Sequence, residues 1–225
     1  MKKKYFAFLF WLISPMLLFS QPKAQQEKYD LNKDRVLYTI GYAHLDSEWL
    51  WDYPATIDNS IRNTMEENFY LFEKYPDYVF NFTGSRRYKM MKEYYPEMYQ
   101  KVAQYIKQGR WHVSGSSVDE GEVNISSSES LVRQVLYGNN YFRNEFGKES
   151  VDYMLPDCFG FLANVPSIWN HCGLLGFSTQ KLSWGSASGL PFNVGVWNGP
   201  DGKGIIAALN ATNYVGKVVP RLDQD

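Results

Sequence analysis

The runs Tyr78-Val79-Phe80-Asn81-Phe82 and Trp111-His112-Val113 decide the fold class, because a helical pattern lies between them. Both runs are short and rich in aromatic and β-branched residues, which is typical of buried strands. Four apolar residues between the two runs recur at helical spacing: Met98, Val102, Tyr105 and Ile106. Gly109 ends that helical pattern, so the stretch predicts a strand, a helix and a parallel strand.

The same alternation extends upstream. Val36–Ile40 is a short β-rich run and predicts the first buried strand. A helical pattern follows it from about Ile57 to Tyr75, and Pro76 ends that helix.

Downstream, Ser126 and Glu129 have the spacing of a capping box and predict the start of a long helix that Gly147 closes. Residues 151–155 predict a fourth strand, and residues 176–179 predict a fifth. Strands that alternate with helices in this way indicate an α/β fold with parallel strands.

Beyond Trp184 the helical period ends, and the Gly-rich residues 198–204 predict a turn between two strands, 194–197 and 205–209. About five strands are too few for a closed parallel barrel, which typically has eight. We therefore expect the chain to be cut short.

Composition narrows the function classes. The chain has 225 residues, with 23 Lys and Arg against 24 Asp and Glu, so no excess of positive charge favours a nucleic-acid partner. Its length and its 44% hydrophobic content exclude disorder and small disulfide scaffolds. Aromatic residues make up 17% of the chain, and their flat faces suit stacking on sugar rings or bases.

The N-terminus resembles an export signal, since Lys2-Lys3-Lys4 precedes an apolar run from Tyr5 to Phe19. We expect residues 1–24 to be a secretory signal peptide with its cleavage region, and residues 25–225 to be secreted or periplasmic without a membrane span. An uncleaved anchor is the alternative. Cys158 and Cys172 are the two cysteines, and the sequence permits but does not require their pairing.

Candidate site residues follow predicted strands, where parallel α/β folds place their chemistry. His44 and Asp46 come after the first strand and project to the same side of an extended chain, which suits a divalent ion or a local hydrogen-bonded pair. Asp157 ends the fourth strand and suits a third ligand, a nucleophile or a helix cap. Three such ligands leave coordination positions open, as a catalytic zinc site requires.

Three segments together, in this order and separation, resemble family 38 of the glycoside hydrolases, the retaining α-mannosidases. They are His44-Leu45-Asp46-x-x-Trp49, Leu155-Pro156-Asp157-Cys158-Phe159-Gly160 and Phe177-Ser178-Thr179-Gln180-Lys181. The resemblance runs from about Val36 to at least Leu209. It implies a (β/α)7 barrel-like catalytic domain of the glycoside hydrolase/deacetylase type, incomplete in this chain, with one Zn²⁺ and a terminal α-linked mannose of a glycan as substrate.

By position, the resemblance implies that His44 and Asp46 are zinc ligands and that Asp157 is both ligand and catalytic nucleophile. It places Trp49 and Phe159 near the sugar and Lys181 beside the nucleophile. Retaining hydrolysis also needs an acid/base carboxyl group roughly 5 to 5.5 Å from the nucleophile. The family places this group and a last zinc-binding His downstream of the nucleophile motif, so we expect both beyond residue 225 and little activity from this chain alone.

Other polar residues are not assigned to these two roles. His112 lies within a predicted strand and is expected to be packed or hydrogen-bonded, and His171 is expected at a helix end, where the dipole favours it. Asp119 and Glu120 follow the third strand, and two alternatives stay open for them. Their side chains either face the binding pocket of the site or lie in a solvated loop.

Three other classes are weaker interpretations. A polysaccharide deacetylase would use a divalent metal but needs a His-x-x-x-His pair, which the sequence lacks. A non-catalytic carbohydrate-binding module is usually a small β-sandwich, which the helical stretches oppose. Gly199-x-x-Gly202-x-Gly204 has no following helix, so it predicts a hairpin turn rather than a phosphate-binding loop.

Overall fold

The computed structural model describes residues 30, 32–34, 39–183 and 189–209. The chain divides into two units, 1–38 and 39–225. The described part of the first unit is a short turn, in which the backbone N–H of Lys33 donates to the carbonyl of Asp30 at 2.8 Å. The predicted signal peptide, 1–24, lies outside the described residues. All elements below belong to the second unit.

A parallel three-stranded sheet forms the first half of this unit. It consists of β1 (Gly41–Tyr42), β2 (Phe80–Thr83) and β3 (Trp111–Ser114), in the order β1-β2-β3. The predictions of β2 and β3 are confirmed to within two residues. The predicted first strand, 36–40, falls mostly outside the described residues, and the described pairing starts at Gly41.

Helices connect these strands. Between β1 and β2 the chain runs through α1 (Tyr53–Ala55), a π-helical turn (Thr56–Ile61) and α2 (Arg62–Lys74), so the predicted helix is confirmed with an earlier start. That start is set by Asp52, whose side chain caps the helix by accepting a hydrogen bond from the backbone N–H of Ala55.

Two helices, α3 (Ser85–Tyr94) and α4 (Pro96–Lys107), connect β2 to β3 where the periodicity predicts one. The pattern identifies α4 and misses α3. Its buried face includes the polar residues Ser85 and Arg87, so α3 lacks a simple apolar stripe. Pro96 favours the break because it starts α4 at a position where its missing N–H costs nothing.

The long helix α5 (Ser128–Phe146) follows β3, as predicted, but its start corrects the capping box. Ser127, not Ser126, is the cap, and its hydroxyl accepts from the backbone N–H of Ser130 at 3.2 Å. Glu129 instead pairs with Arg133 one turn later, at 2.8 Å. The predicted closure is confirmed, since Gly147 adopts φ +63° at the helix end.

A four-stranded mixed sheet forms the second half, in the order β4-β5-β7-β6. Its parallel strands are β4 (Asp152–Met154), β5 (Gly176–Ser178) and β7 (Gly204–Ala208), and helix α6 (Val165–His171) connects β4 to β5. The predicted hairpin is confirmed, because β6 (Val194–Asn198) pairs antiparallel with β7.

The described strands form these two separate sheets and do not close a barrel, so the α/β class is confirmed while the (β/α)7 barrel is not. At the junction between the sheets, polar contacts replace a strand ladder. The backbone N–H of Gly115 donates to Asp152 Oδ2 at 3.2 Å, and the Ser116 hydroxyl donates to the carbonyl of Ser150 at 2.9 Å.

Each half has its own hydrophobic core, and both cores are aromatic. In the first core Trp111 packs edge-on against Phe80 and Phe82. In the second, Trp169 stacks between Tyr153 and Phe177, with ring centroids 4.6 and 4.8 Å away. Much of the aromatic content therefore serves packing rather than sugar binding. In the part of the chain described here, the helices lack the length and apolarity that a bilayer crossing needs.

Candidate active site

Polar side chains that follow five parallel strands meet in one region. His44 and Asp46 follow β1, Arg87 follows β2, and Glu120 follows β3. The remaining two are Asp157 after β4 and Lys181 after β5. The contacts below join residues of both sheets, as expected for the carboxyl ends of parallel strands.

Three of these residues form a donor set. His44 Nε2 lies 3.2 Å from Asp46 Oδ1 and 3.5 Å from Asp157 Oδ2. One ligand atom from each of the three residues lies within 4.8 Å of those from the other two. The structure thus brings together an imidazole and two carboxylates from distant parts of the sequence.

This donor set has the composition of a site for a divalent metal ion. With Zn–N and Zn–O bonds of about 2.0 to 2.2 Å, ligands at the corners of a tetrahedron lie about 3.3 to 3.6 Å apart. The distance from His44 Nε2 to Asp157, 3.5 Å, lies in that range, and the distance to Asp46, 3.2 Å, lies just below it. One nitrogen and two oxygens are a borderline-hard donor set, which also suits zinc.

Asp157 divides its two oxygens between different partners. Oδ2 faces His44, whereas Oδ1 forms an ion pair with the Lys181 ammonium, whose nitrogen lies 2.8 Å away. Lys181 is 3% exposed, so its charge acts on Asp157 with little screening by water. The backbone N–H of Lys181 in turn donates to the Thr179 hydroxyl at 3.2 Å, which fixes the chain directly after β5.

Two aromatic residues of the predicted site are exposed, as a sugar platform must be. Trp49 is 69% exposed and packs edge-on against Trp51 at 5.7 Å. Phe159 is 65% exposed, and the Lys181 ammonium lies 5.0 Å from its ring centroid. Phe159 therefore lies beside the carboxylate that Lys181 pairs with.

Behind His44 lies a buried carboxylate, Glu120, which is 9% exposed. Its Oε2 is 3.5 Å from His44 Nδ1, on the opposite side of the ring from the donor set. Its Oε1 accepts from the Tyr42 hydroxyl at 3.0 Å and from Arg87 at 3.3 Å. Arg87 also donates to the carbonyl of Leu45, so it joins Glu120 to the chain between the two β1 ligands.

The loop that carries Glu120 is held by two helices. At the start of α3, the backbone N–H groups of Ser85 and Arg86 donate to the carbonyls of Ser117 and Val118, each at 2.9 Å. On the other side, Gln134 of α5 accepts from two backbone N–H groups of the loop, at 3.0 and 3.1 Å. These contacts satisfy helix-end donors and position the loop.

The electrostatics of this region favour positive charge at His44. Burial of the imidazole opposes its charged form, but the carboxylates of Glu120 and Asp46 outweigh burial and raise the pKa of His44 above its ordinary value. An environment that favours a proton at the imidazole also favours a divalent cation there.

Two neighbouring groups stay neutral. Burial, followed by the charge of Glu120, raises the pKa of Tyr42 well above its usual range, so its hydroxyl keeps its proton and donates to Glu120. Burial, followed by the charges of Glu120 and Glu122, raises the pKa of Cys158 to about 12. The Cys158 thiol is therefore neither a nucleophile nor an anionic ligand at neutral pH.

The structure also places the unassigned residues. Glu120 faces His44, and Asp119 accepts from the Ser47 hydroxyl at 3.0 Å and pairs with Arg87, so neither lies in a freely solvated loop. His112 is exposed on β3, so the packed one of its two predicted alternatives is wrong. His171 ends α6 as predicted and contacts Asp201 at 3.1 Å.

Both cysteines are free thiols. Cys158 is buried, and its sulfur donates weakly to the carbonyl of Gly121 at 3.5 Å. The pairing that the sequence permits is therefore absent.

Sequence reasoning missed Arg87 and Tyr42. Arg87 lies four residues beyond β2, so its position after a strand was the available signal. Nothing in the spacing of Arg87 and Glu120 along the chain indicates their pairing, which depends on the parallel register of β2 and β3.

Comparisons with known proteins agree with this geometry. Residues 34–221 match the family model described as the N-terminal domain of glycosyl hydrolases family 38. Alpha-mannosidase G of Dictyostelium discoideum is 34% identical over 170 residues, and human alpha-mannosidase 2C1 is 32% identical over 170 residues. Each match covers 76% of this chain but 16% of the relative, so this chain spans about a sixth of their length.

Among solved structures, an alpha-mannosidase from Enterococcus faecalis superposes with a TM-score of 0.65 at 21% identity. That match covers 76% of this chain and 19% of the solved chain. At this level of identity the likeness establishes the fold alone.

Proposed function

Because this chain belongs to family 38 of the glycosyl hydrolases, we propose that it forms the N-terminal part of the catalytic domain of a retaining α-mannosidase. The substrate would be a terminal α-linked mannose of a glycan or oligosaccharide. One observation carries the proposal: His44, Asp46 and Asp157 present ligand atoms within 4.8 Å of one another after strands of both sheets.

In this proposal, His44, Asp46 and Asp157 hold one zinc ion. When bound, the ion supplies positive charge that binds sugar hydroxyls and fixes the ring for attack. The donor set and its spacing support the assignment of zinc.

Asp157 acts as the nucleophile. Its carboxylate attacks the anomeric carbon while the bond to the leaving oxygen breaks and the acid/base group donates a proton to that oxygen. Water, deprotonated by the same acid/base group, then attacks the glycosyl-enzyme and releases Asp157 as a carboxylate. The 2.8 Å contact with Lys181 supports this role, because a buried cation stabilises the carboxylate as an anion and fixes its orientation.

Trp49 and Phe159 bind the sugar. Their exposed rings offer apolar faces that match the C–H face of a pyranose, and burial of such a face is favourable. The position of Phe159 next to Lys181 supports placing the sugar beside Asp157.

The proposal also requires an acid/base carboxyl group and a last zinc ligand. Asp119 and Glu120 are both engaged with Arg87, which argues against either as the acid/base. Following the resemblance, we place both missing groups beyond residue 225 and expect little hydrolysis by residues 1–225 alone.

The test uses the complete open reading frame that contains residues 1–225, purified with measured metal content and assayed on an aryl α-mannoside. Release of mannose with retained anomeric configuration, together with bound zinc, would support the proposal. Inversion, binding without turnover, or release of acetate from an acetylated polysaccharide would each overturn it. Hydrolysis by residues 1–225 at the rate of the complete protein would contradict the placement of the acid/base.

Export is a separate part of the proposal. We propose that residues 1–24 direct secretion or transfer to the periplasm, supported by the basic and apolar pattern of the sequence. N-terminal sequencing of the protein recovered outside the cytoplasm tests this, and an intact Met1 would contradict it.

A further inference from the structure

Glu120 makes different contacts through its two oxygens. Oε1 accepts from two donors, the Tyr42 hydroxyl at 3.0 Å and Arg87 at 3.3 Å. Oε2 lies 3.5 Å from His44 Nδ1. Because Tyr42 and Arg87 can only donate here, they fix which oxygen faces them and leave the other for the imidazole.

A neutral imidazole carries one proton, on Nδ1 or on Nε2. A carboxylate accepts but does not donate, so Glu120 favours a proton on Nδ1, whereas Asp46 and Asp157 favour a proton on Nε2 as long as no cation neutralises them. With a metal ion on Asp46 and Asp157, the Nε2 lone pair faces the ion, and Glu120 is the carboxylate left to accept the proton on Nδ1.

We propose that Glu120, held by Arg87 and Tyr42, is a positioning residue that orients His44 and keeps its Nε2 lone pair available to a metal ion. The inference rests on the proposed zinc site and adds a residue to which the resemblance gives no role. Carboxylate partners of this kind fix ring orientation and raise the basicity of the metal-binding nitrogen.

A purely structural role for Glu120 is the alternative, namely balancing the charge of buried Arg87. Asp119 provides the comparison, since its Oδ1 also lies 3.5 Å from the same Arg87 nitrogen. Its other oxygen accepts from the Ser47 hydroxyl rather than facing the imidazole. Loss of the charge at either residue should affect Arg87, whereas only Glu120 should affect His44.

The test compares Glu120→Gln with Asp119→Asn by zinc titration of the purified protein. In Glu120→Gln, Tyr42 and Arg87 hold the amide oxygen, so the amide N–H₂ faces Nδ1 and favours the wrong tautomer. We expect zinc affinity to fall about 10- to 100-fold in Glu120→Gln, and to stay within about twofold of wild type in Asp119→Asn.

Nitrogen NMR of the imidazole rings supplies a readout that a structural role would not change. The chain has three histidines, so His112 and His171 serve as internal references. In the zinc-loaded protein at about pH 8.5, we expect the Nδ1–H of wild-type His44 to give the resonance of a group bonded to a carboxylate, and we expect that resonance to shift in Glu120→Gln because the carboxylate acceptor is lost.

Equal zinc affinity in wild type and Glu120→Gln would overturn the inference, as would equal losses in both variants or an unchanged His44 Nδ1 resonance. A wild-type protein that binds no zinc would instead overturn the metal site of the proposed function. If Glu120→Gln does not fold, Tyr42→Phe removes one of the two donors that hold Glu120. A several-fold loss of zinc affinity in Tyr42→Phe supports the inference, and wild-type affinity contradicts it.

Discussion

At the scale of single residues, Asp46 and Asp157 hold equivalent places in the donor set but differ in everything else they contact. Asp157 also pairs with buried Lys181, which fixes the orientation of its carboxylate. Asp46 is 35% exposed and faces His44. Replacing each carboxylate by an amide should therefore have different effects on zinc binding and on turnover.

We expect Asp46→Asn to lower zinc affinity and, through it, activity, with partial recovery at excess zinc. Asp157→Asn should lower zinc affinity and abolish turnover at any zinc concentration, because an amide is not a nucleophile toward the anomeric carbon. Zinc titration and assay of the complete protein check both. Wild-type zinc content in Asp157→Asn would show that its ligand role is wrong.

The sequence predicts the donor residues better than their surroundings. His44, Asp46 and Asp157 are found because each follows a strand in a short motif. The Arg87–Glu120 pair joins residues 33 positions apart, and its contact depends on register between β2 and β3. Such pairs follow from tertiary packing, which local patterns do not encode.

At the scale of elements, helix α5 approaches the site loop closely at Gly138. A Cβ on Gly138 would lie 2.5 Å from the carbonyl carbon of Ser117 and 2.6 Å from its oxygen, within the loop that leads to Glu120. The neighbouring Ser116 has φ +32°, an uncommon value for a residue other than glycine. The loop has little room to move aside.

Gly138→Ala should therefore destabilise the protein by about 1 to 3 kcal/mol despite the better helix propensity of Ala, and should weaken zinc binding. Gly147→Ala is the matched control. Its φ of +63° is also unfavourable for Ala, at a cost of about 1 kcal/mol, but nothing lies within 4 Å of its Cβ. Chemical denaturation and zinc titration measure both effects, and a Gly138→Ala protein with wild-type properties would contradict the close approach.

Helices α3, α4 and α5 meet at Glu145. Both of its oxygens accept from Lys92, at 2.7 and 2.8 Å, and one also accepts from Tyr99 at 2.9 Å. The contact with Lys92, followed by that with Tyr99, lowers the pKa of Glu145 below its ordinary value of 4.5, although burial opposes the shift. Because the folded pKa is the lower one, this stabilisation is present above about pH 4.5 and is lost as pH falls through the folded pKa.

We expect Glu145→Gln to lower the free energy of unfolding by about 1 kcal/mol at neutral pH, with the difference shrinking below about pH 4.5. Glu149→Gln is the control, because Glu149 pairs with Arg143 on the surface, where such pairs contribute less than about 1 kcal/mol. Urea unfolding at several pH values measures the difference. A gap between wild type and Glu145→Gln that persists unchanged at pH 3 would exclude the Lys92 and Tyr99 contacts as its cause.

Helices α3 and α4 also show which kind of helix a sequence pattern predicts and which kind it misses. Helix α4 has a regular apolar face and is predicted, whereas α3 buries Ser85 and Arg87 and is missed. Buried Arg87 is stabilised by partners from β2, the β1 loop and the β3 loop. A helix whose buried face carries polar residues that contact the site therefore lacks the apolar periodicity by which a helix is predicted from sequence.

At the scale of the whole 39–225 unit, the donor set links the two sheets. His44 and Asp46 follow β1 of the first sheet, and Asp157 follows β4 of the second. No ladder pairs the described strands of one sheet with those of the other, and polar contacts such as Gly115 to Asp152 join them instead. A metal ion held by ligands from both halves should therefore act as a cross-link of the folded state.

We expect zinc at about 100 times its dissociation constant to raise the free energy of unfolding by about 2.7 kcal/mol, since the unfolded chain cannot present the three ligands together. Thermal unfolding with and without zinc measures this shift. Magnesium is the ion control, because it prefers octahedral oxygen ligands and should shift the transition little. Asp157→Asn is the protein control, since it removes the ligand from the second sheet, and an equal zinc shift in that variant would show that the ion does not bridge the two halves.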